Sequence, residues 1–328
     1  MLKGELARAG GWLGRARNQL EADAVDCVER GYLLVPESLQ HLSGGDAEAA
    51  YAAAAEAEHI AQRFGDQDLR AIIGLLRGQS LIALRQPADG LALLDEVMVA
   101  VTAGEVSPMV SSIVYCAVIE ACQDTFDVAR AQQWTTALGQ WCDNQPDLVP
   151  YRGQCLVHRA ELLQLRGAWP ESMVEARRAH QRLSTPTAQP ALGMACYQQA
   201  ELHRLRGEYA QAEEAYREAN QWGRLPEPGW ALLRLAQGQT DAAVAAIRRA
   251  VDEARDGLVR CRLLPAYVEI QLKVGDVAAA RRAADELEDI AREHGGLPVR
   301  AMAATAEGQV LFGAPPRLSR RRSLAADK

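Results

Sequence analysis

The stretch CYQQAELHRLRGEYAQAEEAYREA, Cys196 to Ala219, decides the fold. Tyr197, Ala200 and Leu205 mark one helical face before Gly207; Tyr209, Ala212, Tyr216 and Ala219 mark a second after it. Gly207 can take the left-handed conformation that ends one helix and opens the next. The stretch therefore reads as two amphipathic helices folded back on each other. Equivalent turn positions recur at Gly4, Gly45, Arg85, Phe126, Gly167, Gly207, Gly238, Gly275 and Gly313, with spacings of 41, 40, 41, 41, 40, 31, 37 and 38 residues. Five residues after each turn the two helices should touch, which demands a small side chain. The first eight such residues are Ala9, Ala50, Gly90, Ala131, Ser172, Ala212, Ala243 and Ala280. The ninth, Leu318, breaks the pattern. Seven residues before the turns, Gly78, Ala160, Ala200, Ala231 and Ala306 are small, while Ile119 and Val268 are not.

The pattern Gly-x-Tyr-x-x-Ala-x-x-x-Tyr-x-x-Ala at 207–219 resembles the tetratricopeptide repeat. The expected fold class is all-α: a tetratricopeptide-like solenoid of helical hairpins in a right-handed superhelix, with a period of about 40 residues. Armadillo-like and HEAT-like arrays have similar periods but account less well for the residues around Gly207.

In chain order, residues 2–20 read as the second helix of an incomplete hairpin. Hairpins follow at 24–43 with 46–64, 68–84 with 88–103, 108–125 with 127–143, 151–166 with 170–183, and across 191–222. Pro226 and Pro228 leave room for a short helix, Gly229 to Gln237; helices at 240–255, 258–274, 277–294 and 298–312 complete the array. The short helix reads as a tolerated deletion or as a hinge or contact surface. The expected organisation is one solenoid over 1–312, beginning and ending inside a repeat, then a basic Pro/Arg-rich disordered tail over 313–328. An uncapped last helix would expose Met302, Val310 and Leu311.

Composition narrows the function classes. Of 328 residues, 48% are hydrophobic and 5% aromatic, enough for a core, and the formal net charge of −7 disfavours a general nucleic-acid binder. Arg317 and Arg320 to Arg322 give the tail at most weak phosphate contact. Only Lys3, Lys273 and Lys328 among 36 basic residues are lysines, which points to a GC-rich bacterial coding sequence. The seven cysteines include no Cys-x-x-Cys and read as reduced, buried thiols. No signal peptide or membrane-length apolar run is evident, so a cytoplasmic chain without membrane contact is expected. His158 and His203 read as packing residues, with Cys155 too little to complete a metal site. No catalytic triad, His-Glu-x-x-His or phosphate loop occurs, so no enzyme, cofactor or metal is assigned.

Several segments together are similar to the tetratricopeptide region of bacterial LuxR-type transcriptional regulators. They are DCVERGYLLVP (26–36), MVAVTAGEVSP (98–108), VYCAVIEACQDTFDVARAQQW (114–134), VPYRGQCLVHRAELLQLRGAW (149–169), residues 196–219 and LPAYVEIQLKVGDVAAARRAADEL (264–287). The resemblance implies a region that senses small effectors or partner proteins, followed in that group by a DNA-binding helix-turn-helix. No helix-turn-helix is recognisable here, so DNA contact is expected only through a domain outside this chain. A stand-alone adaptor and a truncated, non-functional fragment are the alternative readings.

In stacked hairpins the first helices line the concave face. Six residues before the turns lie Gln79, Glu120, Glu161, Glu201, Leu232, Glu269 and Glu307. Three residues further on the same face come Gln123, Gln164 and Arg204. The candidate groove is therefore Glu120, Gln123, Glu161, Gln164, Tyr197, Glu201 and Arg204. It would receive a basic peptide segment of a protein partner, or a small effector carrying amines or hydroxyls. Homo-oligomerisation is left open. The plainer reading is a solvated face with local Glu–Arg pairs, Glu161 joining neighbouring arginines.

Overall fold

The turn residues carry the left-handed backbone that the repeat requires. In this computed structural model, which describes residues 6–23, 25–144, 152–185, 191–294 and 296–313, φ is positive at Gly45, Arg85, Phe126, Gly167, Gly207, Gly238 and Gly275. At Gly207 (φ 77°) the amide bonds to Arg204 O at 3.0 Å, and Glu208 N bonds to His203 O at 2.9 Å. That pair of bonds satisfies the last carbonyls of the helix before the chain reverses. Arg85 (φ 62°) and Phe126 (φ 59°) make the same reversal without glycine. Their following amides close on Leu81 O at 2.9 Å and Cys122 O at 2.7 Å.

Helix is the only regular structure among the described residues, and the chain forms two compact units, residues 1–226 and 227–328. The boundary falls at Pro226, inside the shortened repeat. The first unit opens with α1 (Leu6–Asp23) and continues in five hairpins. These are α2 (Glu29–Ser43) with α3 (Ala47–Phe64), α4 (Gln67–Ala83) with α5 (Pro87–Thr102), and α6 (Pro108–Asp124) with α7 (Val128–Asp143). Then come α8 (Arg152–Leu165) with α9 (Trp169–Ser184) and α10 (Leu192–Leu205) with α11 (Tyr209–Gln221). Each first helix packs on its own partner, on the second helix before it and on the neighbouring first helices. The second unit repeats the scheme with α12 (Gly229–Ala236) and α13 (Thr240–Glu253), α14 (Gly257–Lys273) and α15 (Val277–His294), and a final α16 (Leu297–Gly313). The fold is an all-α, tetratricopeptide-like array of helical hairpins.

Small residues hold each hairpin closed. Ala50, Ala131, Ala212, Ala243 and Ala280 are at most 1% exposed, and Ala160, Ala200, Ala231 and Ala306 are equally buried. At the α4–α5 crossing a Cβ on Gly90 would lie 2.6 Å from Gly78 O, so the backbones themselves touch. Two crossings use a serine hydroxyl instead. Ser38 donates to Ala50 O at 2.8 Å and Ser172 to Ala160 O at 2.6 Å. Both span twelve residues, the same interval that separates Gly78 from Gly90.

Helix starts follow the polar residues. Asp46, Asp66, Asp127 and Asp256 accept from amides of the first turn, and Asp276 accepts from Ala279 N at 2.9 Å. Pro87, Pro108 and Pro170 occupy first or second positions, where a missing N–H costs nothing.

The structure corrects three details. α1 runs to Asp23 and α2 begins only at Glu29, not at residue 24. Arg30 caps Leu20 O near the end of α1 (2.7 Å) and takes Val25 O (2.8 Å), a carbonyl that a longer α2 would have used. Val310 is fully buried rather than exposed, because α16 packs on both α14 and α15. Met302 is half-buried, while Leu311 and Phe312 are exposed. Gly313 is the last residue of α16 and has no left-handed backbone. The expected turn at Gly4 and the tail beyond Gly313 lie outside the described residues. No described helix is long and apolar enough to cross a membrane.

Candidate functional site

The first helices α6, α8 and α10 bring the seven groove residues into one seam of half-buried side chains. Polar bonds cross from repeat to repeat along it. Gln123 Nε2 on α6 donates to Glu161 Oε2 on α8 at 2.5 Å, and Gln198 Nε2 on α10 donates to Gln164 Oε1 on α8 at 2.6 Å. At the α10 end, Glu201 takes Arg204 Nη2 at 2.7 Å and the Tyr216 hydroxyl from α11. The Arg204 and Glu201 side chains are only 17% and 13% exposed. Burial and the Glu201 carboxylate push the Tyr216 hydroxyl far above its usual pKa. Burial alone would lower Arg204, but Glu201 more than offsets it and holds the guanidinium above its usual value. Glu201, Arg204 and Tyr216 therefore satisfy one another within a hairpin.

The α6–α8 end is different. His158 is wholly buried, with Nδ1 3.4 Å from Glu161 Oε2 and no hydrogen-bond partner at Nε2 among the described residues. Burial would lower its pKa. The bond to Glu161 and the charges of Glu161, Glu120 and Asp124 outweigh that and raise it. Burial pushes Glu161 up in turn, but His158, Gln123 and Arg224 bring it below the usual carboxylate range. The pair is a buried histidine in contact with a carboxylate one helical turn away, each shifting the other toward its charged form, rather than a Glu–Arg pair within one helix.

Glu120 sits beside this pair and has no hydrogen-bonding partner among the described residues. Burial raises its pKa; Asp124 and Glu161 push the same way, while His158 and Arg224 oppose them. Three carboxylates thus face the His158 imidazole and the Arg224 guanidinium in a partly buried setting. Tyr197 adjoins it, its ring covered by Arg224 at 5.1 Å and meeting Tyr216 edge-on at 5.6 Å. Such a site can accept hydrogen bonds from an ammonium, guanidinium or hydroxyl group at Glu120, with an aromatic face nearby. It offers no activated nucleophile.

Sequence reasoning missed His158 as a partner of Glu161, and it missed Gln198, Tyr216 and Arg224. The three-residue spacing of His158 and Glu161 on one helix carries a signal. Arg224 follows α11 outside any periodic segment and carries none. His203 bonds to Glu208 at 2.5 Å, so it too is more than a packing residue. Elsewhere on the expected ladder, Glu307 pairs with Arg281 at 2.7 Å within the second unit.

No protein-family model matches this chain, and no curated protein matches it. Among solved structures it is similar to a tetratricopeptide repeat protein from Parabacteroides merdae ATCC 43184. The two are 14% identical with a TM-score of 0.49, covering 85% of this chain and 99% of that one. It is also similar to a Rap protein complexed with competence and sporulation factor, at 15% identity and a TM-score of 0.41, covering 87% of this chain and 98% of that one. These identities are too low to transfer residue roles to this chain.

Proposed function

We propose that this chain is a non-catalytic recognition scaffold that binds a cationic group at Glu120, as the effector- or partner-sensing region of a LuxR-type regulator. The observation that carries the binding reading is the Glu120 carboxylate. It is half-buried, flanked by further acid, and without a protein donor among the described residues. Carboxylates withdrawn from water are normally paired, so this half-buried one is open to a donor that arrives with the ligand. Glu161 is held by Gln123 and His158, and Glu201 by Arg204 and Tyr216, so both shape the seam rather than meet the ligand. The regulator reading rests on the resembling segments at 26–36, 98–108, 114–134, 149–169, 196–219 and 264–287.

An array of fluorescent peptides, half rich in Arg and Lys and half in which Gln replaces them, tests the binding reading. Basic members should bind the wild-type chain. Glu120→Gln should weaken them about tenfold or more, the loss of one charge-assisted bond. Equal binding of both peptide sets, or an unchanged Glu120→Gln protein, overturns it. Sequencing the flanking DNA tests the regulator reading. A helix-turn-helix coding region continuous with this one supports it, and unrelated neighbours favour a stand-alone adaptor.

A further inference from the structure

One cluster of metal-ligating side chains lies outside the seam. His180 on α9, Cys196 on α10 and Glu218 on α11 each place a donor atom within 4.8 Å of the other two. His180 Nε2 is 3.1 Å from Glu218 Oε1. Cys196 is buried at 1% exposure, whereas the His180 and Glu218 side chains are 33% and 39% exposed. We infer that His180, Cys196 and Glu218 form a binding site for a divalent transition-metal ion of the zinc type.

The donor set is the first reason. One imidazole nitrogen, one thiolate and one carboxylate oxygen suit a borderline ion such as zinc, not calcium or magnesium, which take oxygen donors. Geometry is the second. Donors about 2.0–2.3 Å from a tetrahedral ion lie about 3.3–3.8 Å apart. The cluster therefore needs only a small contraction to close around one. Access is the third: two half-exposed ligands give the ion a route in and leave room for a water as fourth ligand. On binding, the thiol loses its proton to solvent and the His180–Glu218 hydrogen bond is replaced by two metal bonds. Without the ion, burial and Glu218 hold the Cys196 thiol at a pKa of about 12, so the proton stays on sulfur. The ion would tie the α8–α9 hairpin to the α10–α11 hairpin. The sequence intervals between positions 180, 196 and 218 match no local ligand motif, which is why only the folded chain shows the site.

The test is a titration of the reduced, metal-free full chain with Co²⁺ alone, followed by displacement with Zn²⁺. One equivalent of Co²⁺ should give a thiolate-to-cobalt charge-transfer band and visible d–d bands, and Zn²⁺ should abolish both. His180→Gln and Glu218→Gln should each weaken Co²⁺ binding about tenfold or more, and Cys196→Ser should remove the charge-transfer band. Cys142 and Cys155, whose sulfurs are 3.6 Å apart, are the competing thiols. Cys155→Ala should leave the spectrum unchanged. No charge-transfer band in the wild type, a band lost in Cys155→Ala, or an affinity unchanged from wild type in His180→Gln and Glu218→Gln overturns the site. If Cys196→Ser fails to fold, the two variants at half-exposed positions decide the question.

Discussion

A methyl group added at Gly90 would meet backbone on one side and Ile82 on the other, at 2.6 Å from Gly78 O and 2.7 Å from Ile82 Cγ1. Neither can yield without parting the hairpin. Gly90→Ala should therefore destabilise the chain by about 1–3 kcal/mol in urea unfolding, despite alanine's higher helix propensity. Gly139, inside α7, has nothing within 4 Å of the added carbon. Gly139→Ala should stabilise by about 0.5–1 kcal/mol in the same assay. The opposite signs separate a contact glycine from an incidental one. At Glu120 the effect runs through pH. Its folded-state pKa is raised, so the native chain binds the proton more tightly than the unfolded chain does. Stability from this group is full below the ordinary carboxylate pKa and is lost as pH rises through the folded value. Glu120→Gln should accordingly be more stable than wild type at neutral pH, with the gap shrinking as pH falls toward 4.5. His158 shares that sign: its contribution is present below its unfolded pKa and fades as pH climbs through the raised folded value. Glu161 has the reverse sign, losing its contribution as pH falls through its depressed value. Removing the Glu161 charge with Glu161→Gln should lower the pKa of His158, read from its imidazole NMR shifts.

Among the elements, the turns that lack glycine are the informative ones. Arg85 repeats the reversal of Gly207 at φ 62° with a Cβ in place, a conformation that costs about 1–2 kcal/mol. Part of that gain is offset by the extra freedom glycine has in the unfolded chain. Arg85→Gly should raise stability by about 0.5–1 kcal/mol in urea unfolding. These reversals were legible because the small residues Ala50, Gly90 and Ala131 recur at a fixed distance beyond them. That distance identifies Arg85 and Phe126 as turns even though neither residue favours one. The start of α2 was not legible, because Arg30 caps one carbonyl ten residues earlier and another five earlier, which leaves no periodic trace. In the seam, position was readable and partnership was not. Spacing put Glu120, Glu161 and Glu201 on one face. Which of them is already satisfied depends on His158, Gln123 and Tyr216, chosen by packing between helices rather than by sequence interval.

At the scale of the molecule, stability in a repeat array is a sum of local terms and neighbour contacts. One continuous core joins α4, α5, α6 and α7 around Val114, Tyr115, Val118 and Ile119. α1, by contrast, packs on α2 and leaves Trp12 62% exposed. Amide exchange should therefore be slower across Pro108–Asp124 than across Leu6–Asp23, a difference that hydrogen-exchange mass spectrometry resolves. Uniform protection along the chain would contradict it. The repeats differ in length from 31 to 41 residues, yet the hydroxyl-to-carbonyl clasp at Ser38–Ala50 and Ser172–Ala160 always spans twelve. An inserted or deleted residue inside that span would swing the following helix about 100° around its axis and turn its buried face outward. Evolution can thus lengthen or trim the linkers between hairpins freely, while the span across each clasp works as a ruler that admits no change of count.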